Sequence, residues 1–422
     1  MRTTLRTLAL ALLLPLLAVA APLPEARPDE AGVSAQRLER IDAAVKRAMD
    51  AGDMAGAVVM IARKGKLVYS KAFGMQDKAA GTPMAPDSIF RAYSMTKPIV
   101  SVAAMILVEE GRLGLHEPVS KYIPEFKDMK VAVETFDPAT GAASFHTVPA
   151  KRQITVQDLL RHTSGLTYGV FLPKTLQLQK LYAEAKLFEQ PTIEAFSKAI
   201  AKLPLRFEPG TTWEYGHSTD VLGRVVEVAS GQPLDTFIAE RILKPLKMVD
   251  TGWYVPADKV RRLAQPLPGT EKNWVPEVWL DFTKAPTLLC GGHGMVTTAG
   301  DYLRFAQMLA NGGELDGVRI LGSRTVQFMA SDHVLGAGIS RGPAYLPGQG
   351  YGFGLGFGVR TATGLSEWMG TPGEFFWGGY AGTYFWIDPK EQLVPVMMFQ
   401  APEKRQHYRV LFRSLVYQAL GD

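Results

Sequence analysis

One serine and one lysine, Ser94 and Lys97, stand three positions apart immediately before a strongly apolar stretch of the chain. If a helix begins here, one turn places both side chains on the same face, so that the amine reaches the hydroxyl. A serine hydroxyl alone is a poor nucleophile, and a neighbouring neutral amine can accept its proton. Burial favours that neutral form, because desolvation disfavours charge. This Ser-x-x-Lys, the only one in the sequence, predicts a nucleophile at Ser94; a helix cap followed by a solvated lysine is the alternative.

Two later segments carry groups that could complete such a site. Tyr215 follows a Pro-Gly turn and precedes a helical stretch, a position from which its hydroxyl can enter a cleft. Near Lys97 it could share a proton and act as base for the serine and later for water. Trp377 is followed by Gly378 and Gly379, and paired glycines let backbone approach a ligand and offer N–H donors. Taken alone, these segments are better explained as a buried tyrosine and a simple turn.

A second serine offers a competing hypothesis. Gly338, Ser340 and Gly342 match the G-x-S-x-G elbow, and Asp388 and His407 follow in the order of a lipase-like triad. That elbow requires a strand before the serine and a helix after it. Glycines and prolines crowd this region, and too little chain follows Ser340 to complete an α/β-hydrolase fold. We therefore expect Ser340 to lie in a loop near the cleft, and the triad is the less favoured alternative.

The elements that must position these residues are predicted from hydrophobic periodicity and turn residues. Strands at both chain ends with helices between them predict an α+β fold, with one antiparallel sheet built from the two termini, flanking helices and an inserted, mostly helical subdomain. We expect a single catalytic domain at 21–422, with its α/β part at about 34–92 and 290–422 and its helical part at about 93–289. The predicted helices are Ser34–Met49, Ile99–Val108 and Arg405–Leu420, the hairpins 57–73 and Val131–Pro149, and the C-terminal strands Tyr351–Val359, Thr383–Ile387 and Leu393–Phe399.

Composition and charge restrict the class of protein further. The 422 residues are 47% hydrophobic and 21% charged, which excludes a disordered chain. A net charge of +5 without any concentrated Lys/Arg run argues against nucleic acid as the main partner. Residues 1–20 have two arginines, an apolar run and an Ala-x-Ala end, which predicts a signal peptide and an exported protein, periplasmic or secreted, with no membrane span after its removal. The single cysteine, Cys290, excludes an intrachain disulfide, and without a Cys/His metal spacing we expect neither metal nor cofactor.

Three motifs in order resemble those of the serine β-lactamase and penicillin-recognising superfamily, and most closely those of the family VIII carboxylesterases related to class C β-lactamases. Connecting stretches at 159–166, 215–223 and 291–298 agree, and the similarity runs from about Ser34 to Leu420. The resemblance implies a β-lactamase-like fold. The three motifs are Ser94-x-x-Lys97, Tyr215-x-His217 and Trp377-Gly378-Gly379.

The resemblance also implies a role for each matching residue. Ser94 attacks the acyl carbon and forms an acyl-enzyme, with Lys97 and Tyr215 as the proton-transfer pair. The backbone N–H groups of Ser94 and Tyr380 form the oxyanion hole. The substrate-binding residues that the resemblance implies are His217, Trp377, Gly378 and Gly379.

Two departures from the superfamily pattern bear on the substrate, which the resemblance implies is a small ester or amide. β-Lactamases and transpeptidases usually have asparagine where this chain has His217, and Lys-Thr-Gly where it has Trp377-Gly378-Gly379. The missing lysine removes a charge that would pair with a β-lactam or peptide carboxylate, and this favours an esterase. The alternatives are a β-lactamase or D-amino-acid-specific peptidase with the same serine, and a non-catalytic cell-wall or ligand-binding relative.

Overall fold

The computed structural model describes residues 22–140, 143–271, 274–275 and 280–421, so the predicted signal peptide lies outside the described residues. The helices are α1 (Ala35–Asp50), α2 (Thr96–Glu109), α3 (Val156–Leu160), α4 (Gln177–Glu184), α5 (Ile193–Ile200), α6 (Ser218–Ser230), α7 (Leu234–Ile238), α8 (Ala299–Ala310), α9 (Ser323–Met329) and α10 (Arg405–Tyr417). The strands are β1 (Gly56–Arg63), β2 (Lys66–Asp77), β3 (Thr82–Pro83), β4 (Ile89–Arg91), β5 (Lys130–Phe136), β6 (Ala143–Pro149), β7 (Val296–Thr298), β8 (Glu314–Leu315), β9 (Val318–Arg319), β10 (Tyr351–Phe353), β11 (Gly358–Arg360), β12 (Phe375–Gly378), β13 (Tyr384–Ile387) and β14 (Leu393–Met398).

The main sheet joins the two ends of the chain. Its strand order is β10-β11-β12-β13-β14-β1-β2-β3, and neighbouring strands are antiparallel. The N-terminal β1 pairs with the C-terminal β14, with Val58 opposite Met398. Three separate two-stranded pairs are β4 with β7, β5 with β6 and β8 with β9. The predicted α+β fold, with an antiparallel sheet built from both termini, is therefore confirmed.

Both faces of the sheet are covered, and β1 is consequently buried along its whole length. Successive side chains of a strand point to opposite faces. Val59 and Ile61 lie in a core with α1 and α10, whereas Val58 and Met60 lie in a larger core with α2 and α8. This larger core continues into α5, α6 and α7, so the sheet and the helical region share buried apolar contacts. Helix α2, which follows Ser94, is thereby buried along nearly its whole length at the centre of this core.

The predicted elements agree with the structure except in the C-terminal third. Tyr351–Val359 was expected as one strand, but it forms β10 and β11, which pair with each other in an antiparallel hairpin. The chain turns between them at Gly356, whose φ of +99° is open to glycine and unfavourable for other residues. Strand β12 was not predicted at all, because Trp377 and its glycines suggested a turn. Within the described residues, no helix is long and apolar enough to cross a membrane.

Candidate active site

Ser94 and Lys97 lie where strand β4 passes into helix α2. A single 3₁₀ turn, Tyr93–Met95, joins the two elements, and Tyr93 adopts a left-handed φ of +46° that is uncommon outside glycine. The Tyr302 hydroxyl on α8 donates to the Met95 carbonyl at 3.0 Å and stabilises this turn. Lys97 is in the first turn of α2, and its Nζ lies 3.4 Å from the Oγ of Ser94. The predicted pair is thus brought together by one helical turn.

The amine of Lys97 is enclosed, with only 1% of the residue exposed. Its Nζ donates to the Tyr168 hydroxyl at 2.8 Å and to the Gly292 carbonyl at 2.7 Å. Together with the Oγ of Ser94, these atoms give the Nζ of Lys97 three oxygen partners. No carboxylate pairs directly with Lys97 within the part of the chain that the structure describes, so the amine is held by neutral oxygens.

Tyr215 lies on the cavity side of the lysine. Its ring centroid is 4.6 Å from the Nζ of Lys97, and its ring stacks on Trp213 with an interplanar angle of 9°. Trp377 contacts it from the other side at a centroid distance of 5.5 Å. The half-buried Tyr215 therefore stands between Lys97 and the space open to a substrate.

Tyr168 is a residue of this site that the sequence interpretation missed. It follows the connecting stretch at 159–166, and its hydroxyl accepts the hydrogen bond from Lys97. Burial, and then the charge of Asp220, raise the pKa of Tyr168 well above its ordinary value, so the phenol stays protonated near neutral pH. No motif in the sequence separates Tyr168 from an ordinary core tyrosine; only the fold brings it to Lys97.

The end of β12 approaches the turn that carries Ser94. A Cβ on Gly379 would lie 2.3 Å from the carbonyl oxygen of Ala92, so only glycine fits there. The Thr383 hydroxyl donates to the same carbonyl at 3.2 Å. Tyr380 follows directly, and its backbone N–H makes no hydrogen bond within the described residues. The predicted wall of Trp377, Gly378, Gly379 and Tyr380 lines the same cavity as Ser94.

The structure places His217 behind the cavity wall and not among its lining residues. The ring is 2% exposed and packs against Tyr168 at a centroid distance of 4.6 Å. Its Nδ1 lies 2.9 Å from the Oδ2 of Asp220. Asp220 in turn accepts the Gly292 N–H at 2.8 Å, and the Gly292 carbonyl accepts from Lys97. His217 is therefore connected to the lysine through a buried network.

A cavity of about 270 Å³ opens beside Ser94. Eight of its 21 lining residues are aromatic, and two of the lining residues, Phe171 and Leu346, are each 54% exposed. Aromatic walls suit an apolar or planar group on a small ester. The aromatic lining residues are Tyr93, Tyr168, Phe171, Tyr215, Trp368, Phe376, Trp377 and Tyr380.

Positive charge enters this cavity from helix α10. Arg405 and Arg409, one turn apart, both line it, and neither forms an ion pair with a carboxylate in the described chain. Arg409 donates to the Gly379 carbonyl at 2.5 Å, and burial lowers its pKa to about 10. The charge that the Trp377 segment lacks is thus supplied by another element, and sequence reasoning missed these two arginines.

Ser340 and its proposed triad partners are not assembled. Ser340 is exposed in a loop, where its N–H and carbonyl bond to Thr211 and Trp213 at 2.9 and 2.8 Å. Asp388 is buried and accepts from the Tyr417 hydroxyl at 2.7 Å, whereas His407 is exposed on α10. The expectation that Ser340 lies in a loop is confirmed, and the lipase-like alternative has no geometric support.

The α+β fold, with a serine next to a buried lysine at the central cavity, is typical of serine hydrolases that use a lysine as the base. The chain belongs to the Beta-lactamase family, which it matches over residues 41–418. It is 31% identical over 375 residues to the esterase EstB of Burkholderia gladioli, covering 83% of this chain and 86% of that protein. It is 30% identical over 380 residues to the lovastatin esterase of Penicillium rubens, covering 86% and 92%.

A solved structure agrees with these sequence relatives. EstCE1, described as a hydrolase with promiscuous acyltransferase activity, matches with a TM-score of 0.74 and 27% identity, covering 90% of this chain and 99% of that one. The predicted family and β-lactamase-like fold are confirmed, and the protein is a serine hydrolase with esterases among its relatives.

Proposed function

We propose that this protein hydrolyses small carboxylic esters through an acyl-enzyme on Ser94. The observation that carries the proposal is the 3.4 Å separation between the Ser94 Oγ and the buried Lys97 Nζ beside the cavity. Lys97 in its neutral form takes the hydroxyl proton as the Ser94 oxygen attacks the ester carbonyl. The carbonyl carbon becomes tetrahedral, the C–O bond to the alcohol breaks, and the alcohol leaves with a proton from the pair.

Tyr215 completes the proton-transfer pair in this proposal. Its position next to both Lys97 and the cavity supports a role in passing the proton to the leaving alcohol. In the second half-reaction the same pair takes a proton from water, the water oxygen attacks the acyl carbon, and Ser94 regains its hydrogen. Because the groups are coupled, the proton belongs to the pair and not to either residue.

The proposed oxyanion hole consists of the N–H groups of Ser94 and Tyr380. Two features support it. The N–H of Tyr380 has no acceptor among the described residues, and Gly379 closely approaches Ala92, two residues before the nucleophile. Ser94 precedes α2, and a helix start leaves N–H groups without helical acceptors. A donor of this kind contributes about 3–4 kcal/mol to transition-state stabilisation.

A β-lactam or D-amino-acid peptide is the second candidate substrate, and one observation favours it. Arg405 and Arg409 offer positive charge to a substrate carboxylate, and within the described residues neither forms an ion pair with a protein carboxylate. Against this stand the aromatic wall that includes Trp377 and the esterase relatives. We therefore rank an ester first.

The test compares p-nitrophenyl butyrate hydrolysis by the unaltered protein, by Ser94→Ala and by the matched control Ser340→Ala. We expect Ser94→Ala to abolish turnover and Ser340→Ala to retain it. A fluorophosphonate probe should add one label, located at Ser94 by mass spectrometry of peptides. Loss of activity in Ser340→Ala alone, or a label elsewhere, would overturn the assignment. Faster turnover of nitrocefin than of any ester would reverse the ranking of substrates.

A further inference from the structure

Three side chains that could bind a metal ion meet behind the cavity, and one of them, Asp220, is far from the other two in sequence. Asp220 lies at the start of α6, and Cys290 and His293 lie on the loop before β7. One carboxylate oxygen, the thiol sulfur and one imidazole nitrogen all lie within 4.8 Å of one another. The residues are 1%, 3% and 4% exposed, respectively. Asp220 comes from a different element than Cys290 and His293, so sequence spacing alone does not predict this cluster.

The ring nitrogens of His293 make no hydrogen bonds within the described residues. Both nitrogens are buried, and burial without a hydrogen-bond partner among the residues that the structure describes is costly for a polar group. Its Nδ1 points toward Asp220, at 4.0 Å from Oδ1. A ligand at this position would satisfy a nitrogen that the protein leaves unpaired.

The carboxylate of Asp220 is held in place as metal ligands usually are. Its Oδ2 lies 2.9 Å from the Nδ1 of His217, and its Oδ1 accepts the Gly292 N–H at 2.8 Å. Outer hydrogen bonds of this kind orient a ligand and tune its basicity. Each carboxylate oxygen keeps a second lone pair for a cation.

We propose that Asp220, Cys290 and His293 form a binding site for one zinc-type divalent cation. Mixed sulfur, nitrogen and oxygen ligands suit Zn²⁺, which in tetrahedral sites holds its ligands about 3.5 Å apart. The three ligand atoms now lie within 4.8 Å of one another. Side-chain shifts of about 1 Å would shorten these separations to the tetrahedral value. Three protein ligands leave the fourth position to water or a small ligand. The proposal is independent of the chemistry at Ser94.

Access and charge are both compatible with this site. His293 also lines the 270 Å³ cavity, which gives a hydrated ion a route inward. On binding, the Cys290 thiol releases its proton to solvent, so that one thiolate and one carboxylate balance the two charges of the ion. The net charge of the cluster thereby changes from −1, that of the Asp220 carboxylate alone, to 0, and the amine of Lys97 faces this change across the neighbouring Gly292 carbonyl.

The test uses tag-free protein treated with a chelator and then titrated with Co²⁺ or Zn²⁺ alone. Because Cys290 is the only cysteine in the sequence, a thiolate-to-cobalt charge-transfer band in the near ultraviolet can arise from no other residue. We expect this band to saturate at one equivalent of Co²⁺ and to disappear on adding Zn²⁺. Absence of the band from the folded, unaltered protein overturns the proposal whatever the variants do.

Variants then identify the other ligands. Calorimetric Zn²⁺ titrations should show affinity reduced about 100-fold or more in Cys290→Ser and His293→Gln, since losing a ligand exceeds the 10–100-fold cost of losing an outer partner. His407→Gln, an exposed histidine on α10, is the control and should bind as the unaltered protein does. Equal affinity in all three variants would mean that zinc binds elsewhere and would overturn the assignment.

Discussion

Replacing Tyr168 and Tyr215 separately by phenylalanine distinguishes the tyrosine that holds Lys97 from the one proposed to move its proton. Both substitutions remove a hydroxyl and leave the ring, so the aromatic packing around Lys97 is retained. Tyr168 accepts a 2.8 Å hydrogen bond from the lysine, whereas Tyr215 presents its ring to the amine at 4.6 Å and faces the cavity. The two variants therefore perturb the same amine in different ways.

The expected magnitudes differ. A hydrogen bond to a charged group contributes about 1.5–3 kcal/mol, and losing that much transition-state stabilisation lowers kcat/KM about 10–150-fold. We expect Tyr168→Phe to fall within this range, because Lys97 keeps its bonds to Gly292 and Ser94. A positioned proton-transfer group contributes about 10²–10⁴-fold, and Tyr215→Phe should fall within that range, mainly through kcat.

The assay is p-nitrophenyl butyrate hydrolysis across a pH series, with thermal unfolding to show that each variant folds. A protonated phenol that only orients the lysine should leave the shape of the pH profile unchanged. Tyr215→Phe should flatten one limb of the profile, because the proton-sharing partner is gone. A larger loss in Tyr168→Phe than in Tyr215→Phe, with Tyr215→Phe retaining the full pH profile, would refute the assignment of Tyr215.

Three further predictions concern the frame of the site. Gly379→Ala should lower stability by about 1–3 kcal/mol in urea unfolding and reduce kcat, because its Cβ meets the Ala92 carbonyl at 2.3 Å. Glu374→Gln should cost about 3–5 kcal/mol, because it leaves the fully buried Arg413 without its carboxylate. Burial raises the pKa of Asp301 to about 6, so the folded state holds a proton there that the unfolded chain releases near pH 4. Stability should therefore fall as pH rises from about 4 to 6, and less so in Asp301→Asn.

Each of these has its own control. For the buried ion pair it is Asp50→Asn, which breaks an exposed pair with Lys46 and should change stability by less than about 1 kcal/mol. Gly336→Ala serves for Gly379→Ala, since neither glycine has a positive φ and a Cβ at Gly336 meets no atom within 4 Å. Equal effects in either matched pair, or identical pH slopes for Asp301→Asn and the unaltered protein, would contradict the reasoning given.

The parts of this molecule that follow local rules could be predicted from the sequence. Ser34 caps α1 by accepting the Arg37 N–H at 3.3 Å, and the periodic apolar residues after it fix the helix. The pairing of Ser94 with Lys97 needs only one helical turn, so spacing was sufficient. The hairpin turn at Gly356 was not predicted. An apolar run that contains glycines fits one continuous strand as well as it fits two short strands joined by a turn.

Contacts set by the packing of distant segments could not be predicted in this way. Tyr168 and Gly292 reach Lys97 from two loops, and Arg409 enters the cavity from the last helix. The oxygen atoms that contact the amine of Lys97 are neutral, and the buried Asp220 is linked to Lys97 through the Gly292 peptide. The environment of the Lys97 amine is therefore set by three chain segments together, and no single sequence motif predicts it.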